Sequence, residues 1–112
     1  MSHHKVHEVD GVTVVSIRGK LMGGKETDDC HSNIKGLLDG GKKKIVADLS
    51  HVKWMNSRGL GMLISCYTSC KNAGGEMRVS GATEKTKSLL MMTKLLEFFG
   101  HYEHTEDALK DF

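Results

Sequence analysis

Apolar and polar positions along the chain change their period several times, and each change marks a new element. Val6 to Val9 and Val12 to Ile17 are short runs rich in β-branched residues. Such runs favour strands, and the Asp10-Gly11 dipeptide between them supplies the positive φ of a tight primed turn. The reading is a β-hairpin whose second strand is ended by Gly19. Residues 23–41, GGKETDDCHSNIKGLLDGG, predict a helix. Glu26, Asp28 and Asp29 lie early, where carboxylates complement the helix dipole, and Gly40-Gly41 stops it. Ile45-Val46-Ala47 is a nearly continuous apolar run bounded by charge, the mark of a strand covered on both faces, and Asp48-Leu49-Ser50 ends it.

Residues 57–73 bring Leu60, Leu63, Ile64, Tyr67 and Cys70 onto one helical stripe, stopped by Gly74-Gly75. Glu76 to Ser80 reads as a strand. Thr83 to Leu96 reads as a third helix that buries Leu89, Leu90, Met92 and Leu95, with Phe98-Phe99 as a short strand after it. Residues 105–112, TEDALKDF, predict a tail helix with Thr105 as N-cap and Glu106 and Asp107 in its first turn. A hairpin followed by strand–helix alternation implies an α/β fold. Its sheet is mixed, with about four to five strands, parallel crossovers and helices mainly on one face. With 112 residues, no repeat and no low-complexity or linker segment, residues 1–112 read as a single domain.

Composition narrows the classes. A net charge of +2 is too small to point to nucleic acid. Lys42-Lys43-Lys44 reads as a solvated strand entry rather than a phosphate- or membrane-attracting patch. No apolar run approaches the roughly 18 residues of a membrane span, so membrane insertion is not expected. Met1-Ser2-His3-His4-Lys5 lacks the apolar core of a secretory signal, which makes the cytoplasm the expected address. An odd set of cysteines, 30, 66 and 70, forms no disulfide framework. Cys66 and Cys70, one helical turn apart, read as small buried or half-buried apolar groups, with a redox pair as the alternative.

Chemistry is sparse. His101 and His104 are three apart and His3 and His4 adjacent, yet no cysteine or carboxylate completes a metal-ligand spacing. No Gly-Lys-Ser or Gly-Lys-Thr follows a glycine loop, and Ser57 has no evident base, since His51 lies toward the strand end and GxSxG is absent. Neither an enzyme nor a cofactor is expected. What remains is WMNSRGLG, residues 54–61, which emerges at the carboxyl edge of a buried strand, where open α/β sheets place functional loops. Asn56 and Ser57 are both good N-caps for a helix beginning near Arg58, and Ser57 as a cap and nothing more is the bland reading. The other reading notes three features. Gly59 and Gly61 leave bare backbone for a partner's approach. Trp54 and Met55 supply apolar area, one of them facing the core. A hydroxyl at a helix N-terminus is also a good seat for a phosphate.

The segment KKIVADLSHVKWMNSRGLGML resembles the signature of STAS domains, in particular of bacterial anti-sigma factor antagonists. The similarity extends through IRGKL at the front and GGEMRVSG, LLMMTKLLEFF and YEHTEDAL behind. The resemblance implies a non-enzymatic switch. An anti-sigma factor with serine kinase activity phosphorylates Ser57, the unphosphorylated protein binds that partner and frees the sigma factor, and a PP2C-type phosphatase resets it. It also implies partner binding through Met22, Asn56, Ser57, Arg58, Gly59, Leu60 and Gly61, without cofactor, metal or direct nucleic-acid contact. The chain departs from that pattern. Asn56 stands where the family has aspartate, Arg58 replaces a small hydroxyl residue, and Lys20 and Met22 replace two acids. The loop is therefore more cationic, and Arg58 either pairs with a phosphate at Ser57 or repels a partner built for an acidic loop. The alternatives are a constitutive STAS interaction module, a non-phosphorylated STAS subunit of an ABC-type lipid transport system, and a sensor or enzyme binding a nucleotide or fatty acid.

Overall fold

Asp10 and Gly11 have φ of 51° and 81°, as a primed turn requires, and they close a hairpin in which Val9 faces Val12. The computed structural model describes residues 4–110 and Phe112. The N-terminal residues 1–3, including His3 of the adjacent histidine pair, and residue 111 of the tail lie outside the described residues. The elements are β1 (His4–Val9), β2 (Val12–Leu21), α1 (Lys25–Asp39), β3 (Lys44–Met55), α2 (Ser57–Asn72) and β4 (Glu76–Ser80). After these come α3 (Glu84–Met92), α4 (Leu95–Phe98), β5 (His101–Tyr102) and α5 (Thr105–Ala108).

The five strands form one sheet in the order β1-β2-β3-β4-β5. Among the described residues only β1 and β2 are antiparallel, so the fold is a mixed α/β sheet as the alternation implies. Val15, Ile17, Ile45, Ala47, Leu49, Met77 and Val79 point to one face, where α1 to α4 cover them with Ile34, Leu63, Cys66 and Leu90. The opposite face presents Val12, Val14 and Val46, covered by Ala108 of α5 and by Leu109 and Phe112 after it. Ile45, Val46 and Ala47 are all at 0% exposure, which is the two-sided covering their apolar run implies. Cys30, Cys66 and Cys70 are all buried, and Lys42 to Lys44 are exposed, Lys42 pairing with Glu8.

Several boundaries differ from the sequence reading. Gly19 does not end β2: its φ of 77° sits between two register shifts, and the strand continues through this bulge to Leu21. Ser50 likewise does not end β3, which runs to Met55. Ile45 to Asp48 pair with both neighbours, whereas the residues from His51 to Met55 that pair do so only with the end of β2. Each extension supplies the other's hydrogen-bond partner, a non-local reason that local composition does not carry.

The helix expected over Thr83–Leu96 is broken. Thr93 Oγ1 donates to the carbonyls of Leu89 at 2.8 Å and Leu90 at 3.2 Å, Lys94 turns left-handed at φ 61°, and α4 starts anew. Met92 is consequently 82% exposed rather than buried, and Leu89 and Leu95 are half-buried, leaving Leu90 in the core. Phe98-Phe99 is not a strand: Phe98 ends α4, and both rings stack with Tyr67, at 4.5 Å and 5.6 Å between centroids. Thr105 is not a cap. It is the first residue of α5, follows His104, and hydrogen-bonds Ser80 Oγ through its hydroxyl at 2.8 Å. That helix ends at Ala108, short of residue 112. Among the described residues, no helix is long and apolar enough to cross a membrane.

Candidate functional site

Where β3 ends and α2 begins, a single side chain organises the backbone. Asn56 is the N-cap of α2: its Oδ1 accepts from Arg58 N at 3.0 Å and Gly59 N at 3.1 Å. Its Nδ2 donates to the Met22 carbonyl at 2.9 Å, and its own N–H donates to the Leu21 carbonyl at 3.2 Å. The end of β2 and the start of α2 are therefore joined through one amide. Ser57 is not the cap but the first helical residue. It is exposed, and its hydroxyl enters no hydrogen bond among the described residues. Because Asn56 already takes two of the N–H groups a helix start leaves open, a phosphate on Ser57 would face the dipole and Arg58 rather than an empty ring of donors.

The two glycines play different parts. A methyl group at Gly59 would stand 2.1 Å from the Leu21 carbonyl oxygen and 2.7 Å from its Cβ, so Gly59 is buried and required by the approach of α2 to β2. It is not clearance for a partner. Gly61 is exposed with nothing within 4 Å of such a methyl, and this one does leave open backbone. Leu60 is 5% exposed and belongs to the core, so it offers a partner little surface. Met22 is 44% exposed beside the Asn56 cap, and the Arg58 stem lies against Gly23, within 2.7 Å of where a Gly23 methyl would sit. Of Trp54 and Met55, Met55 packs on the core and Trp54 is 46% exposed. The site thus gathers Met22, Asn56, Ser57, Arg58 and Gly61 on the surface and draws Gly59 and Leu60 inside.

Among the described residues, no base is hydrogen-bonded to Ser57. His51 Nδ1 lies 3.2 Å from Ser50 Oγ instead. Among the described residues no three histidine, cysteine or carboxylate side chains gather, and His101 Nε2 accepts the Ala82 N–H at 3.2 Å. Burial lowers the His101 pKa, opposed by the nearby Glu103 carboxylate. Burial pushes the Cys30 and Cys66 thiols up to about 12, which keeps them protonated and inert. Sequence reasoning missed Lys85, whose Nζ sits 3.6 Å from the Trp54 ring centroid. It also missed the groove lined by Arg18, His51, Lys53 and Thr83 beside it. The alternation of Arg18 with Lys20 was a usable signal for the groove; nothing local marked Lys85.

The family model for the STAS domain matches residues 3–109. The chain is 27% identical over 118 residues to the anti-sigma F factor antagonist of Paenibacillus polymyxa, covering 99% of this chain and 91% of that protein. It is similar to the crystal structure of an anti-sigma factor antagonist from Mycobacterium paratuberculosis, with a TM-score of 0.82 and 28% identity over 95% of this chain and 89% of the other. The Bacillus cell fate determinant SpoIIAA in its phosphorylated form shares the fold alone. Its TM-score is 0.74 at 13% identity, over 93% of this chain and 95% of that one.

Proposed function

The chain belongs to the STAS domain family, and from that premise we propose that it acts as an anti-sigma factor antagonist working by partner switching, as a single STAS domain in the cytoplasm. Unphosphorylated, it binds an anti-sigma factor that is also a serine kinase, through Met22, Ser57, Arg58 and the open backbone at Gly61, and the sigma factor is released. The kinase transfers the terminal phosphoryl of ATP to Ser57 Oγ, which breaks the complex, and a PP2C-type phosphatase hydrolyses the ester to reset it.

The observation that carries this reading is the Ser57 hydroxyl itself. It is exposed on the first turn of α2, unengaged by any described residue, and flanked by the exposed Met22 on a rigid cap. Phosphorylation there adds about −1.5 to −2 charge at neutral pH, which a desolvated interface does not tolerate without a new cationic partner. Support also comes from the names of the relatives, anti-sigma factor antagonists at 27% and 28% identity. Incubation with a serine-kinase anti-sigma factor from the same genome and ATP, followed by phosphopeptide mass spectrometry, tests the assignment. Phosphate on Ser57 that disappears in Ser57→Ala is expected; a Ser57→Ala protein labelled as fully as the wild type overturns it.

A further inference from the structure

On the sheet edge that leads into the Ser57 loop, positive charge collects without internal neutralisation. Arg18 and Lys20 follow one another along the exposed side of β2, opposite His51 and Trp54 of β3. Arg18, Lys53 and Thr83 line one open groove, and Lys85 lies over the exposed Trp54 ring at 3.6 Å. Arg58 extends the series past Ser57. None of Arg18, Lys20, Lys53, Arg58 and Lys85 forms an ion pair with a carboxylate among the described residues, whereas Lys25, Lys42, Arg78, Lys87 and Lys110 each do.

The acids near this strip are few. Glu26 borders Lys20 below Met22, Asp28 shares a groove with Arg58, Glu84 precedes Lys85, and the Asp48 carboxylate is taken by Ser16 Oγ at 3.4 Å and the Ser50 N–H at 3.0 Å. Five cations against three bordering carboxylates leave +2, as much as the whole chain carries, so the rest of the surface is neutral on balance. Charge concentrated in this way around one aromatic anchor suits protein docking: the tryptophan supplies buried area and the cations steer the encounter.

We propose that this strip, from Arg18 and Lys20 through Lys53 and Trp54 to Lys85, is the electrostatic half of the partner-docking surface and receives an acidic face of the anti-sigma factor. The inference rests on the function proposed above and adds the charge of the partner to it. Continuity with the Ser57 loop through Lys20 and Met22 makes both parts one surface. It also gives the absence of acids at positions 20, 22 and 56 and the presence of a cation at position 58 a common direction: all four lie on the side of the molecule where the partner would be negative. A phosphate arriving at Ser57 then acts twice, by desolvation and by repelling the acidic face that the strip attracts.

The test is the association rate of the kinase that phosphorylates Ser57, measured from about 50 to about 500 mM salt, a range over which the Debye length shortens and steering is screened out. It is run with wild type, Lys53→Glu/Lys85→Glu, Lys53→Arg/Lys85→Arg and Ser57→Asp. All the substituted side chains are exposed or half-exposed, and circular dichroism checks that each variant is folded. The charge reversal is expected to slow association at least about tenfold at 50 mM salt and to flatten its salt dependence, with the arginine variant near wild type. Its Ser57 still accepts phosphate when kinase is in excess. Unchanged association in the reversed variant overturns the docking strip while leaving the switch standing; Ser57→Asp bound as tightly as wild type overturns the switch. Wild-type binding to duplex DNA or phosphatidylserine vesicles that the reversal abolishes, with kinase association unaffected, assigns the strip to a polyanion and also overturns the proposal.

Discussion

The Asn56 side chain holds the Met22 carbonyl with its Nδ2 at 2.9 Å while its Oδ1 caps Arg58 and Gly59 of α2, so one amide faces both ways. Only this orientation satisfies both sets of partners, because the capping atom must accept and the Met22 contact must be donated. An aspartate would keep the cap but lose the donor to Met22. Asn56→Ala is expected to cost about 1–2 kcal/mol in chemical denaturation, the usual loss of an N-cap. Asn56→Asp should stay within about 0.5 kcal/mol of wild type, since a carboxylate also suits a helix N-terminus. Amide exchange at Gly23, however, should speed up in both variants as Met22 is released.

Gly59 and Gly61 should respond oppositely to the same substitution. Gly59→Ala forces a methyl to within 2.1 Å of the Leu21 carbonyl oxygen, and about 3 kcal/mol of stability should be lost. Gly61→Ala meets open space, and the helix-propensity gain of about 0.5–1 kcal/mol should raise the melting temperature by a few degrees. Thermal denaturation of the two variants decides this, and a Gly59→Ala protein as stable as wild type would refute the close approach.

The buried thiols make stability fall with alkali. Cys30 and Cys66, ordinarily near 9, are held protonated to about 12 by burial. The unfolded thiols release their protons above pH 9 while the folded ones keep them, so stability is complete below pH 9 and declines as pH rises toward 12. Each thiol should contribute a loss of about 1.4 kcal/mol per pH unit in that window. Melting temperatures between pH 8.5 and 10.5 should drop more steeply for wild type than for Cys30→Ala/Cys66→Ala, whose own lower starting stability is set by its neutral-pH value.

Arg78 is nearly buried and binds the tail on three sides. Its Nε meets Glu76 Oε2 at 2.6 Å, its Nη1 donates to the Ala108 carbonyl at 3.0 Å and the Lys110 carbonyl at 2.5 Å, and its Cζ lies 4.0 Å from the Phe112 ring centroid. Arg78→Ala leaves those carbonyls without their donor and should cost about 3 kcal/mol. Limited proteolysis should then cut after Lys110 first, because Arg78 is the side chain that ties the Ala108 and Lys110 carbonyls to β4.

Local signals made much of the fold legible. Asp10-Gly11 carries its own turn, Ile45-Val46-Ala47 its own two-sided burial, and the Leu60–Cys70 stripe its own face. What escaped was decided at a distance. β2 and β3 outrun Gly19 and Ser50 because each extension pairs with the other, and Gly59 is a glycine because of Leu21, in another element. Thr93 gave too weak a warning of the helix break, since one threonine among the strong helix formers Met92, Lys94 and Leu95 is ordinarily tolerated, and only its bonds to Leu89 and Leu90 reveal the stop. At the site, Asn56, Ser57 and Gly61 could be picked out from the loop alone. The division of labour between Asn56 as cap and Ser57 as exposed hydroxyl could not, because either residue type suits either position. Lys85 on Trp54 joins α3 to β3 across the fold and left no trace in sequence.

The switch at Ser57 is tested most directly by the affinity of the serine-kinase anti-sigma factor for the unphosphorylated protein and for the same protein stoichiometrically phosphorylated at Ser57, measured side by side by calorimetry at one salt concentration. A loss of at least about 100-fold on phosphorylation, about 2.7 kcal/mol, is predicted, with Ser57→Ala binding like the unphosphorylated wild type. Equal affinity of the two forms would contradict it.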